Sequence, residues 1–344
     1  MVAGQPAVRV PVLVVGEALV DVVDRGYVNE ESLTGVGPSG AQPDAPRTRQ
    51  IDRHPGGSPA NVALGLARLG HDVRFATRLG RDEDGVLVRA HLEADGVRLA
   101  EGSVDDGPTS TATATLDATG GATYVFDLHW DLPDVDLSGV AHLHTGSIGA
   151  TLAPGAAKVH AAFLAAVASG ATTSYDPNLR PRIMGTAEEE RAGVEALVAA
   201  SDVVKASDED LAWLYPGEAA DDVVRRWAGL GPALVVVTRG GQGATATRAS
   251  APDELLAVAP RPVTVVDTVG AGDAFMSGLL SGLLDAGLLG SRTARQALRN
   301  ANTEQVHDAL SRAVWTSSVT CGRAGAQPPT RAELVAATAH HRLP

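Results

Sequence analysis

Residues 265–284 read VVDTVGAGDAFMSGLLSGLL: a β-branched run, a glycine cluster, one aspartate, then an apolar segment with helical spacing. Gly270, Ala271 and Gly272 predict a strand-to-helix turn. A helix start gathers unpaired backbone N–H groups, which attract an anion such as phosphate. Asp273 repels that anion if it has to hold it. The conflict disappears if the carboxylate faces the group that attacks the phosphate, taking a proton from a hydroxyl as the new bond forms. The stretch therefore predicts phosphoryl transfer. The competing reading is a glycine-rich cap whose acid only complements the helix dipole.

Other signatures fail on spacing. The two lysines, Lys158 and Lys205, are followed by Val and Ala, which excludes the phosphate loop G-x-x-x-x-G-K-[ST]. Gly241, Gly243 and Ala246 can be laid on a dinucleotide fingerprint. The TATRAS that follows has strand propensity instead of the required helix, and no acid stands at the expected distance. His142 and His144 flank Leu143 on a predicted strand. A metal site needs a third ligand, and with none nearby in sequence, ordinary strand histidines are favoured.

A layered α/β scaffold must position these residues. Apolar β-branched runs recur at Val10–Val15, Val73–Thr77, Ala141–Thr145, Ala171–Tyr175, Val203–Lys205 and Ala233–Thr238, with alanine- and leucine-rich helical stretches between several of them. That alternation predicts βαβ units around a parallel sheet. For PANVALGLARLG at 59–70, the preceding Ser58 is the expected N-cap, Pro59 suits the first turn, and Gly70 ends the helix. Residues 108–126, in which threonine alternates with alanine around ATGGAT, predict a hairpin projecting from the sheet. The segment 25–54 is rich in Gly, Pro, Ser and charge, without hydrophobic period. It reads as a flexible surface insertion, so that a short linker in place of residues 27–51 should preserve fold and turnover.

The chain has 344 residues, 44% of them hydrophobic, and a formal charge of −13. It carries no basic stripe, which argues against nucleic acid and anionic membranes as partners. Cys321 is the single cysteine, so no internal disulfide or cysteine-based zinc site can form. The opening residues lack a charged n-region with an apolar core, and no apolar run approaches about 18 residues. These features predict a cytoplasmic protein that acts on small molecules.

Two stretches resemble the signatures of the PfkB, or ribokinase-like, carbohydrate kinases: GGSPANVALGLARLG at 56–70 and DTVGAGDAFMSGLL at 267–280. GEALVD at 16–21 precedes them and TRGGQGA at 238–244 lies between. The likeness runs from about Val12 to about Arg331, apart from 25–54, and with DPNLRP it is most similar to the fructokinase branch. The resemblance implies a ribokinase-like three-layer α/β/α fold, with a central mostly parallel sheet and a small β lid. It implies one kinase domain over 8–344, its lid formed mainly by about 100–130.

By the same resemblance Asp273 is the catalytic base, and the amides of Gly270, Ala271 and Gly272 form the anion hole. Asp21, Gly56, Gly57 and Asn61 bind the sugar, with Phe126 and Trp130 closing over it. Asn178, Arg180, Ser207, Asp210, Thr238 and Gly240 serve ATP and its phosphates. Asp267 helps hold a monovalent cation such as K+. Ordinary roles compete at several of these positions: turn capping for Asp21 and Asp267, first-turn solvation for Asn61, a surface ion pair for Arg180, a strand exit for Thr238 and Gly240. Where the family commonly has N-x-x-E near magnesium (Mg2+), this chain has Ser207 and Asp210, whose shorter acid implies a looser contact. The implied reaction transfers the γ-phosphoryl group of Mg·ATP to a sugar, with fructose favoured and ribose, 2-keto-3-deoxygluconate or a nucleoside as alternative acceptors. A homodimer is compatible with the resemblance. A non-catalytic sugar- or nucleotide-binding regulator is the reading from another class, and the intact Asp273 with its glycines argues against it.

Overall fold

The computed structural model describes residues 10–29, 47–116 and 122–340. The first part of the chain forms β1 (Pro11–Val15), β2 (Leu19–Asn29), β3 (Arg47–Gly56), α1 (Ser58–Arg68), β4 (Asp72–Ala76), β5 (Leu79–Gly80), α2 (Glu83–Ala94), β6 (Arg98–Leu99), β7 (Val104–Asp105), β8 (Thr111–Leu116) and β9 (Ala122–Asp127). The middle forms β10 (His142–Gly146), α3 (Gly155–Ser169), β11 (Thr172–Asp176), α4 (Ala187–Ala199), β12 (Val203–Ser207), α5 (Asp208–Leu214), α6 (Ala220–Ala228), β13 (Leu234–Thr238), β14 (Ala244–Arg248) and β15 (Ala251–Val258). Helices α7 (Ala271–Asp285), α8 (Arg292–Arg299), α9 (Thr303–Cys321) and α10 (Arg331–His340) complete it.

Period-two alternation in the buried strands decides the layering. In β1, Val12 and Val14 pack into a core with residues of α1, α7 and α9, whereas Leu13 and Val15 pack on the opposite face with residues of α3, α4 and α6. Leu234 and Val236 against Val235 and Val237 repeat the division in β13. The resulting nine-stranded sheet has the order β15-β14-β13-β12-β11-β10-β1-β4-β6. Its pairings from β6 to β13 are parallel, and β14 and β15 are added antiparallel. All six predicted apolar runs are strands of this sheet. β1 lies between β10 and β4, where the strand order reverses, and sheets of this kind bind ligands beyond the carboxyl ends at such a point.

Helix α7 is buried from Asp273 to Leu284, as an all-round apolar helix must be. Gly278 and Gly282 let α9 approach: an added Cβ would stand 2.8 Å from Ala313 Cα at the first and 2.7 Å from Ala309 Cα at the second. The SGLLSGLL of the sequence is thus a packing surface that fixes the direction in which the start of α7 points.

A smaller sheet, β3-β2-β8-β9, stands over the same end. Its β8–β9 pair is the predicted Thr/Ala hairpin, with residues 117–121 outside the described ones. The expectation of a flexible insertion over 25–54 is corrected at both ends. Residues 25–29 and 47–54 belong to β2 and β3, which pair antiparallel from Leu19–Gly56 to Asn29–Arg47, and residues 30–46 lie outside the described ones. The charges that looked like loop are cross-strand partners: Arg25 Nε lies 2.8 Å from Asp52, and Arg49 pairs with Asp24. The lid therefore takes half its strands from this segment, beyond the expected 100–130. Asp21, expected at the end of the first strand, sits within β2 opposite His54 and Ala112.

Two further expectations change. Residues 259–270 form no strand; Val265 and Val266 are 60% and 61% exposed, and the N–H groups of Val266 and Asp267 donate to the Cys321 carbonyl. With no neighbouring strand to pair with, the β-branched run stays an extended tether into α7. Helix α1 is capped by Gly57 rather than Ser58, because Gly57 at φ +102° can turn the chain where its added Cβ would meet the Glu17 carbonyl at 2.7 Å.

Candidate active site

Gly270 caps α7 at φ +73°, where an added Cβ would stand 2.5 Å from Ala326 Cβ. Of the three amides expected to bind an anion, Ala271 N–H is engaged by Thr268 O at 3.1 Å. Gly270, Gly272 and Asp273 have N–H groups without a backbone acceptor among the described residues, so the open donors extend one residue further into the helix than expected.

Asp273, in that first turn, is 7% exposed and its carboxylate is held from two elements. Oδ1 accepts from Ser58 Oγ at 2.7 Å and Asn178 Nδ2 at 3.4 Å, and Oδ2 accepts from Asn61 Nδ2 at 2.8 Å. Asn61 thus positions the acid as well as lining the adjoining cavity. Ser58, expected as a cap, has this role instead, which follows from its place at the start of α1 once Gly57 takes over the capping.

A cavity of about 170 Å³ opens in front of Asp273, lined by Asp21, Gly57, Asn61, Phe126, Arg180 and Gly270 among others. It lies between the main sheet and the lid. Asp21 accepts no hydrogen bond from protein among the described residues; burial pushes its carboxyl up, opposed by the charges of His54 and Arg180. Gly56 permits its position, since a Cβ there would come within 2.3 Å of Asp21 Oδ2. Phe126 reaches the cavity from β9 and stacks on Tyr124. Trp130, by contrast, is buried in the α3–α6 core with Nε1 donating to Gly149 O, so it does not close the cavity.

Arg180 joins this cavity to a second of about 300 Å³, which Asn178, Lys205, Ser207, Glu209, Asp210, Thr238 and Gly272 also line. Its Nη1 donates to Asn178 Oδ1 at 2.7 Å and to the carbonyls of Asn178 and Leu179, with no ion pair to an acid among the described residues. Asn178 itself is held at φ +39°, a conformation uncommon outside glycine. Thr238 and Gly272 link to a third cavity of about 120 Å³ with Gly240, Pro260, Phe275 and Val314 in its wall. Three adjoining cavities therefore surround the start of α7, polar around the acid and more apolar at the far end.

Ser207 and Asp210 form a capping box at the start of α5: Ser207 Oγ accepts from Asp210 N–H and Asp210 Oδ2 from Ser207 N–H. Asp210 Oδ1 also accepts from Leu179 N–H at 2.8 Å, so one carboxylate pins the loop that carries Asn178 and Arg180. No group of three or more metal-ligating side chains occurs among the described residues. Asp210 and Glu209 are the carboxylates in the wall of the second cavity. Asp267 ties two loops at the helix start, its oxygens accepting from Val269 and Gly325 N–H, and these bonds hold its carboxyl below the usual range.

Three charged residues escaped the sequence reading. Glu17, 4% exposed, lines the first cavity and accepts from Gly149 N–H; burial pushes its carboxyl up to about 7, against the pull of backbone N–H bonds and Arg180. Asp176 and Lys205 form a buried ion pair beside the second cavity, 2.6 Å apart. Burial opposes the lysine's charge, but the carboxylates of Asp176, Asp210 and Asp273 outweigh it and hold the ammonium above its usual range. A signal for Glu17 existed in its place just after β1 at the sheet's carboxyl edge. His142 and His144 are ordinary sheet residues: His142 bonds Thr172 and Ser174, and His144 bonds Ser174.

A family model described as the pfkB family carbohydrate kinase matches residues 11–333. The fructokinase of Rhizobium leguminosarum bv. trifolii is 33% identical over 302 residues, 84% of this chain and 86% of that protein. A solved fructokinase double mutant from Vibrio cholerae O395, with fructose, ADP and potassium ion bound, matches at a TM-score of 0.73 and 26% identity over 96% of this chain and 99% of that one. The fructokinase of Xylella fastidiosa with bound ATP matches in fold at a TM-score of 0.79 and 24% identity, covering 97% and 99% of the two chains.

Proposed function

The chain belongs to the pfkB family of carbohydrate kinases, and on that premise we propose that it is a fructokinase, with Asp273 as its base and the start of α7 as its anion hole. The observation that carries the reading is one juxtaposition. The acid held by Ser58 and Asn61 faces a cavity bearing the unengaged carboxylate of Asp21, and open helix-start amides stand beside it. Sugar occupies that cavity, with Asp21 accepting from its hydroxyls and Phe126 covering it. Arg180 spans the passage to the phosphates, and the adenine of ATP takes the apolar cavity beyond Thr238 and Gly240.

In the reaction the sugar oxygen bonds to the γ-phosphorus as the bond to the β–γ bridging oxygen breaks. The hydroxyl proton passes to Asp273, and the electron pair of the broken bond stays on ADP. Magnesium, when bound with ATP, neutralises phosphate charge, and Asp210 and Glu209 are the acids that would meet it. Asp267 would act through a monovalent cation such as K+, as its ionised carboxylate between two loops allows.

Coupled ADP release across fructose, ribose, 2-keto-3-deoxygluconate and nucleosides tests the reading. Fructose should give the highest kcat/KM, and Asp273→Asn should lower kcat by on the order of 10² with sugar and ATP affinities nearly kept. Turnover of another acceptor above fructose overturns the substrate, and undiminished turnover in the variant overturns the base.

A further inference from the structure

Lys205 is the buried member of the chain's two lysines: its side chain is 4% exposed, against 46% for Lys158. β12 carries it to the carboxyl end of the sheet, where it meets Asp176 at the end of β11. The partner carboxylate is fully buried. Stability is a poor account of so dry a pair, since removing two charges from water costs about as much as their attraction returns. Its surroundings suggest another. An ammonium has three donors, and Asp176 lies against it on one side only, as an ion pair 2.6 Å away. The nitrogen lies 3.4 Å from where a Cβ on Gly272 would stand, so it faces the first turn of α7, and Lys205 lines the second cavity with Asn178, Arg180 and Thr238. A nearly buried cation with spare donors thus points to the place where the helix amides are open.

We propose that Lys205 is a catalytic residue of the phosphoryl transfer, its ammonium contacting the phosphoryl oxygens during their passage from ATP to the sugar, and that Asp176 is the residue that positions it. The proposal rests on the kinase reading above. As the bond to the bridging oxygen breaks and the sugar oxygen bonds to phosphorus, charge spreads over the equatorial oxygens. The Gly272 and Asp273 amides approach from one side and Lys205 from the other. The ammonium keeps its protons throughout; only the sugar hydroxyl proton moves, to Asp273. Preorganised donors of this kind, in a site that excludes water, typically lose on the order of 10² to 10³ in kcat when one is removed.

Steady-state kinetics of the whole enzyme on its best acceptor, with binding of ADP and of ADP–aluminium fluoride, test this. Lys205→Met should lower kcat by on the order of 10² or more, with the sugar KM within a few-fold. Affinity for ADP–aluminium fluoride should fall in parallel while affinity for ADP alone changes little, and Lys205→Arg should retain more activity than the methionine variant. Because Lys205→Met leaves Asp176 buried without its partner, Asp176→Asn/Lys205→Met serves as the folded control, and its kcat should stay low. Recovery of kcat in that double variant, or undiminished kcat in Lys205→Met, overturns the proposal and leaves a structural ion pair. A wild-type protein that turns over no acceptor overturns the kinase reading itself, so the two failures are told apart.

Discussion

Asp21 and Asp273 line one cavity in unlike surroundings. Asp273 has donors on both oxygens, which aim it; Asp21 has none from protein among the described residues. A carboxylate left without a partner at a cavity wall is built to take its hydrogen bonds from the ligand, because a buried acceptor left unmade is costly. Asp21→Ala should therefore raise the sugar KM by about tenfold to a hundredfold, with the ATP KM nearly unchanged. Equal rises in both constants would instead assign Asp21 a structural role. Both acids were legible because each stands in a short stretch whose neighbours explain it. Ser58, Asp176 and Lys205 were not, since their partners come from distant sequence: 215 residues separate Ser58 from Asp273. A lone acid or lysine ending an apolar strand carries no local mark of what the next strand brings beside it.

At the scale of elements, the parallel strands were legible because burial on both faces gives unbroken apolar runs. The lid was half legible. β8 and β9 show period-two alternation, but within 25–54 the strands carry charges that pair across them, Arg25 with Asp52 and Arg49 with Asp24, and such a stretch without apolar period looks like loop. The correction reverses an expectation about the chain. Replacing residues 27–51 by a short linker removes the pairings of Tyr27 with Arg49, Val28 with Thr48 and Asn29 with Arg47, and takes Arg49 from the buried Asp24. The main sheet has its own cores and should fold. β2 carries Asp21, so the lid that presents it should loosen, and the sugar KM should rise about tenfold or more, in line with the loss of a positioning element. A linker replacing only 30–46 leaves both strands whole and serves as the control. A sugar KM equal to wild type in the 27–51 variant would show that Asp21 is held by residues 52–56 of β3 alone.

For the molecule as a whole, buried titratable groups set the pH range of stability, and they pull in opposite directions. His142 and His144 are pushed down to about 3, and His71 to about 4, chiefly because burial disfavours the charged ring. The unfolded chain protonates these rings below 6.5 while the native one refuses, so their contribution is full above 6.5 and is lost as pH falls. Burial has the reverse effect on Glu17, pushed up to about 7. The native state keeps this proton after the unfolded chain has released it near 4.5, so stability from this source falls as pH rises towards 7. Between about pH 5 and 6.5 the histidines and Glu17 therefore pull stability in opposite directions. Glu17→Gln removes one opposing acid while keeping an oxygen for Gly149 N–H. Its stability relative to wild type should grow from near zero at about pH 4.5 to on the order of 3 kcal/mol above pH 7, which Tm series from pH 5 to 8 without sugar would register as diverging curves. Parallel curves would mean that the carboxyl of Glu17 ionises as freely inside the cavity as in the unfolded chain. The cavity wall would then carry a full negative charge at neutral pH.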